Sequence, residues 1–124
     1  METKDIAQKL VDYCKKGENL KAVNELYAPN IVSVEATSFE SNPPIQEGLE
    51  AVQNKNKWWL ENFEVHSHET KGPFFSHDAN QFSVFFKMDT TNKQNGQRTQ
   101  MEEVGVYTVA EGKIVREQFM YSDS

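Results

Sequence analysis

The chain has 124 residues, with 13 lysines and arginines against 19 aspartates and glutamates, a formal net charge of −6. That balance argues against nucleic acid, whose phosphates demand a basic footprint, and against anionic membrane surfaces. The length suits a single domain over residues 1–124 with one core, small enough for dimerisation to help it, and no apolar run reaches signal-peptide or membrane-span length. The expected location is therefore cytoplasmic. A lone cysteine, Cys14, has no internal disulfide partner, and its place on an apolar helical stripe marks it as core filler rather than a nucleophile.

Ile6, Leu10, Tyr13 and Cys14 recur at helical spacing, Lys15 and Lys16 suit the negative end of that helix, and Gly17 stops it. A second short helix from about Asn19 carries Val23, Leu26 and Tyr27 and is expected to end at Pro29. Ile31–Glu35 reads as the first strand, with Ile31, Ser33 and Glu35 on one face, and Phe39–Ile45, with its Pro43-Pro44 pair, reads as an irregular loop. A third helix is predicted from about Gln46 to Asn62, with Leu49, Val52, Trp59, Leu60 and Phe63 in one arc. Trp58 lies on its back face and is the freer of the two indoles.

After Phe63 the pattern turns to strand. Val65–Thr70 is followed by a break at Gly72-Pro73, Phe74–Ser76 and a turn at His77–Asn80. Phe82, Val84, Phe86 and Met88 then alternate with Ser83, Lys87 and Asp89, an antiparallel strand half-buried on one side. Phe85, apolar on the polar side, implies that this side is covered locally. Helices first and a meander of strands afterwards indicate an α+β domain with helices gathered on one face of a bent sheet.

The last quarter reads as a hairpin, Met101–Val109 and Lys113–Tyr121, around a tight Glu111-Gly112 turn. A two-residue loop sets Val106 opposite Glu117, Val104 opposite Phe119 and Glu102 opposite Tyr121. Opposed residues share a face, so Glu102, Val104, Val106, Glu117, Phe119 and Tyr121 are expected on the side that lines a cavity. A loop bulge would reverse one strand.

A carboxylate in such a cavity loses hydration, and its pKa rises toward neutrality, where it can exchange protons. Glu117 is the foremost acid, Glu35 at the end of the first strand the second, and Glu103 the third should its strand be redirected. Glu102 and Glu103 point to opposite faces and cannot both line one pocket. His66 and His68 alternate on a strand without a third ligand at metal-site spacing, so no metal is expected, and His68 is the one that could add a polar group to the cavity. Tyr13 and Tyr27 lie on helix stripes that pack the core or orient a substrate oxygen. Tyr13 and Trp58, with Phe119, Tyr121 and Glu102 from the hairpin face, complete the expected ligand contacts.

The run Leu26–Glu35, the segments Glu47–Val52 and Lys57–Trp59, and the stretch Glu103–Val109 through Gly112–Glu117 are similar in order and spacing to the SnoaL-like proteins of the nuclear transport factor 2-like superfamily. The resemblance covers about Thr3 to Tyr121. It implies a cystatin-like cone of curved antiparallel sheet closed by three N-terminal helices around an apolar pocket. It also implies, as family properties, cofactor-free acid/base chemistry of isomerase, dehydratase or polyketide cyclase type, and a homodimer. One departure is pointed. SnoaL-like cyclases carry His-Trp-Asp after the Gly-Lys-Ile turn, whereas this chain has Glu117-Gln118-Phe119, so Phe119 stands where the acid/base Asp is expected. A small apolar metabolite is the expected partner, either transformed in the cavity or merely held there; a dimerisation module with a vestigial pocket is the third reading.

Overall fold

Helix α1 (Thr3–Lys15) forms because Ile6, Ala7, Leu10, Val11 and Cys14 make one continuous apolar face, all of it buried in this computed structural model, which describes residues 2–36 and 44–121. Helix α2 (Asn19–Leu26) follows the Gly17 turn and buries Ala22, Val23 and Leu26 against it. Strand β1 begins at once and runs Tyr27–Val34, so the expected helical end at Pro29 is corrected: the helix stops at Leu26 and Pro29 lies within the strand. The irregular loop expected over Phe39–Ile45 lies largely outside the described residues. A three-residue strand β2 (Ile45–Glu47) pairs antiparallel with β1, and helix α3 starts after Gly48, spanning Leu49–Asn62.

Four long strands complete the fold: β3 (Phe63–Phe75), β4 (Gln81–Asn92), β5 (Arg98–Ala110) and β6 (Lys113–Tyr121). The expected break at Gly72-Pro73 is only a local irregularity, since β3 pairs with β4 on both sides of it. The sheet order is β2-β1-β6-β5-β4-β3. It is curved and unclosed, with the three helices against its concave side, the cystatin-like arrangement. One pairing departs from an all-antiparallel expectation: β1 and β6 run parallel, with Ser33 beside Glu117. No helix among the described residues is long and apolar enough to cross a membrane.

The final hairpin turns as expected at Glu111 and Gly112, both at positive φ (52° and 75°), the primed geometry that matches strand twist. Its register does not follow. Ala110 faces Lys113 and Val109 faces Ile114, but Thr108 then faces Arg116, so Val115 is an extra residue without a partner. This bulge on β6 shifts every later pair by one. Tyr107 faces Glu117, Gly105 faces Phe119 and Glu103 faces Tyr121. The concave face of β5 therefore carries Met101, Glu103, Gly105 and Tyr107, and the set Glu102, Val104 and Val106 points outward. Because side chains alternate with period two, a single inserted residue exchanges the whole strand face.

Gly105 follows from that face. The Tyr107 ring stacks on Phe82 (centroids 5.0 Å apart, 14° between planes) and lies back over the glycine, where an added Cβ would come within 2.9 Å of the ring. Tyr107 is 2% exposed and has no room to yield. Gly105→Ala is expected to cost about 1–3 kcal/mol of stability in urea unfolding, and a loss too small to measure would refute this packing.

Candidate active site

The concave sheet face and the three helices enclose a cavity of about 490 Å³, a volume ordinary for small-molecule sites. Its apolar wall comes from α1 (Leu10, Cys14), α3 (Trp59, Leu60), β4 (Phe86, Met88) and β5 (Met101). Three carboxylates and one ammonium meet at its other end: Glu35, Glu103, Glu117 and Lys55.

Glu117 is 2% exposed and is held by three side chains from two elements, β1 and α3. The Tyr27 hydroxyl donates to Oε1 and the Ser33 hydroxyl donates to Oε2 at 2.6 Å. Lys55 Nζ lies 3.6 Å from the same Oε2. Parallel pairing of β1 with β6 is what puts Ser33 beside it. Lys55 also donates to Ser33 Oγ at 2.6 Å and to Glu35 Oε1 at 2.8 Å. The Tyr121 hydroxyl donates to Glu35 Oε2. One ammonium thus ties two carboxylates together, and it sits 5.3 Å from the centroid of the Phe119 ring as a cation–π contact.

Glu103 differs. Its carboxyl lines the cavity, and none of the described residues gives it a hydrogen bond or an ion pair. Burial raises its pKa to about 8, reinforced by the charges of Glu35 and Glu117 and opposed by Lys55. Burial likewise raises Glu35, against the pull of Lys55. The buried Tyr27 and Tyr107 phenols are pushed well above their ordinary range by desolvation and by the Glu117 charge. Cys14, lifted to about 12 chiefly by burial, is an inert thiol.

Of the residues singled out in the sequence, Glu117, Glu35, Glu103, Phe119, Tyr121 and His68 all line the cavity. His68 reaches it from β3 while its Nε2 meets the Lys15 carbonyl at 3.2 Å. Three expected contacts are corrected. Glu102 lies on the outer face, 3.9 Å from Lys87, because of the Val115 bulge. Tyr13 packs partly buried against the core and does not line the cavity, its hydroxyl donating to Glu25 between α1 and α2. Trp58 packs edge-on against Phe63 outside the cavity wall, and Trp59 lines the cavity instead, stacked on Phe63 at 5.1 Å. Among the described residues no three His, Cys, Asp or Glu side chains converge as a metal site, and His66 instead meets Thr91 Oγ1 at 2.7 Å.

Lys55, Ser33 and Tyr107 belong to the site without being singled out by the sequence pattern, and Tyr27, expected to pack the core or orient a substrate oxygen, holds Glu117 instead. For Lys55 a signal existed: it stands three residues after Val52 and four before Trp59, on the apolar stripe of α3, where an unpaired ammonium would be costly. Tyr27 and Ser33 needed the β1–β6 pairing, and Tyr107 needed the bulge.

Over residues 1–121 the sequence matches a family described as SnoaL-like domain. Among solved structures, a Mesorhizobium loti protein provisionally described as a SnoaL-like polyketide cyclase, with carbohydrate phosphatase in brackets, is 40% identical. The match covers 98% of this chain and 100% of that one, with a TM-score of 0.89. A Bacillus subtilis protein provisionally described as an isomerase (21% identity, 98% and 90% coverage, TM-score 0.78) shares the fold. So does a Burkholderia thailandensis NTF2-like protein (15% identity, 98% and 92% coverage, TM-score 0.80). No functionally curated protein matches the sequence significantly.

The Glu103 environment has a consequence for stability. The folded chain holds the Glu103 proton up to about pH 8, against an ordinary value of 4.5. Ionisation therefore penalises the folded state: the Glu103 contribution to stability is most favourable below about pH 4.5, falls as pH rises and levels off above about pH 8. Glu103→Gln removes this penalty and is expected to gain up to about 3–5 kcal/mol on wild type between pH 5 and pH 9 in urea titrations. Parallel pH profiles for the two proteins would show that Glu103 titrates normally.

Proposed function

The chain belongs to the SnoaL-like domain family, and on that footing we propose that it binds a small, largely apolar molecule in the cone cavity and moves a proton on it without a cofactor. The observation that carries this reading is Glu103: a carboxyl facing an apolar cavity, without a hydrogen bond of its own, beside an ion pair that is fully bonded. At neutral pH it is mostly protonated, so it can donate to a carbonyl, hydroxyl or epoxide oxygen as negative charge develops there. Glu35, held by Lys55 and Tyr121, is the nearby ionised group that accepts a proton. Glu117, engaged by Tyr27, Ser33 and Lys55, is a positioning residue. Trp59, Phe119 and His68 shape the wall against the ligand. Isomerisation, dehydration, hydration or ring closure each need only this pair of proton sites.

The cyclase half of the Mesorhizobium loti description agrees with that chemistry. The phosphatase half finds less support, because Lys55, the lone lysine or arginine among the described lining residues, is already engaged by two carboxylates. A second reading, a binding module that holds its ligand unchanged, draws on two observations: Phe119 stands where the family places an Asp, and Lys55 neutralises Glu35 and Glu117 in part. Exchange of the α-hydrogens of 1-tetralone in deuterated buffer, followed by NMR, separates the two. The catalytic reading expects protein-dependent exchange that Glu103→Gln slows by roughly 10²–10⁴-fold. Saturable binding without exchange from about pH 6 to about pH 9 would leave the binding module.

The family association as a homodimer is proposed for this chain through the outer sheet face. Val104 and Met120 are paired neighbours there, 37% and 51% exposed, next to Phe85 on β4. Sedimentation is expected to find a dimer that Met120→Glu converts to monomer, and a monomeric wild type at about 100 µM would overturn this assembly.

A further inference from the structure

The charges at the closed end of the cavity do not balance. Glu35, Glu103 and Glu117 face one ammonium, and Lys55 directs its N–H groups to Ser33 and Glu35 and lies 3.6 Å from Glu117. Glu69, the fourth acid of the lining, is paired with Lys71 at 3.0 Å. An anionic ligand would bring a further negative charge into this group, where the one lining lysine or arginine among the described residues is already engaged. In a low-dielectric cleft such an imbalance acts strongly, attracting one sign of charge and rejecting the other.

We propose that the cavity selects an organic cation, an apolar molecule ending in a protonated amine, which seats its charge against Glu103. This rests on the reading of the cavity as a ligand site and adds the class of ligand; with an ammonium seated, Glu103 is ionised and is the ligand's charge partner, not its proton donor. The exchange balances: the Glu103 carboxylic acid releases its proton to solvent, the ammonium takes its place, and the net charge of the cluster is unchanged. A neutral ligand leaves the proton where it is, and an anion adds to the excess. The remaining wall suits a cation with an aromatic or aliphatic body, since Trp59 and Phe119 line the cavity and Phe119 already lies beside an ammonium.

The titratable and charged groups around Glu103 are Glu35 just after β1, Lys55 from α3, Glu117 and its pairing partner Tyr121 from β6, Cys14 from α1 and Tyr107 from its own strand, while His68 from β3 lines the same cavity. On β4 its neighbour is Phe86, which does not titrate. The pH response is assigned to Glu103 by substitution at that residue.

Tryptamine, tryptophol and indole-3-acetate carry one ring system with a positive, neutral and negative end. Calorimetry of the whole protein in buffers of different ionisation enthalpy is expected to show tryptamine binding with release of about 0.9 proton at pH 7. Its affinity is expected to rise roughly tenfold from about pH 6.5 to 7.5 and to level near pH 8. Indole-3-acetate is expected to bind at least about tenfold more weakly than tryptamine throughout. Glu103→Gln should abolish the proton release and most of that preference while tryptophol still binds. If the variant does not fold, the proton release and pH slope of the wild type decide alone. Binding of indole-3-acetate as tight as tryptamine, tryptamine binding without proton release, or tryptophol binding without tryptamine would each overturn the charge selection and leave the cavity reading intact. Failure of all three together with 1-tetralone would overturn both.

Discussion

Burial of the Glu117 carboxylate is the constraint on which the rest of this site depends. An ionised carboxylate taken out of water costs several kcal/mol unless its oxygens are hydrogen-bonded and its charge compensated. Here the compensation comes from two separate elements: Tyr27 and Ser33 on β1 and Lys55 on α3. The same contacts therefore hold the first strand, the third helix and the last strand in one arrangement. Ser33 is central, because it accepts from Lys55 and donates to Glu117, which fixes the direction of its hydroxyl.

That arrangement leaves a single cation to serve three acids. Lys55 lies against Glu35 at 2.8 Å and Glu117 at 3.6 Å, and Glu103 receives no hydrogen bond. The least compensated acid is the one that keeps its proton, and a carboxyl poised between its two forms near neutrality is the useful one for proton transfer. The acid left uncompensated is thus selected by the allocation of a lysine rather than by the identity of the acid. This also accounts for the absence of an Asp at Phe119. With Glu103 delivered from β5, an apolar ring on β6 does not empty the site of acid function; it supplies a wall and a face for the Lys55 ammonium.

Fold and chemistry are separable, since a fold does not by itself fix which side chains stand at the base of its cavity. What the cone contributes is a concave face on which every second residue of β4, β5 and β6 points at the helices, and α3, whose polar interruption at Lys55 closes the acidic end. The outer face follows the opposite parity and presents Val104 and Met120, so one bulge decides both what lines the cavity and what a partner copy would meet.

The order of elements, the extent of α1, the position of the Glu111-Gly112 turn and the inward direction of Glu117 and Phe119 were all legible in the sequence. Each depends on local periodicity or on turn chemistry that neighbouring residues specify. Glu35 was readable in the same way, from the alternation Ile31, Ser33, Glu35. The face of β5 was not, because the Val115 bulge arises from how β6 pairs with β5 and β1 together, and no residue type at 115 announces it. The roles of Tyr27 and Ser33 also waited on tertiary structure: they stand 90 and 84 residues from Glu117 in sequence and meet it only because β1 runs parallel to β6. Local patterning decided which strands exist and which residues alternate; long-range pairing decided which carboxylate stands uncompensated in the cavity.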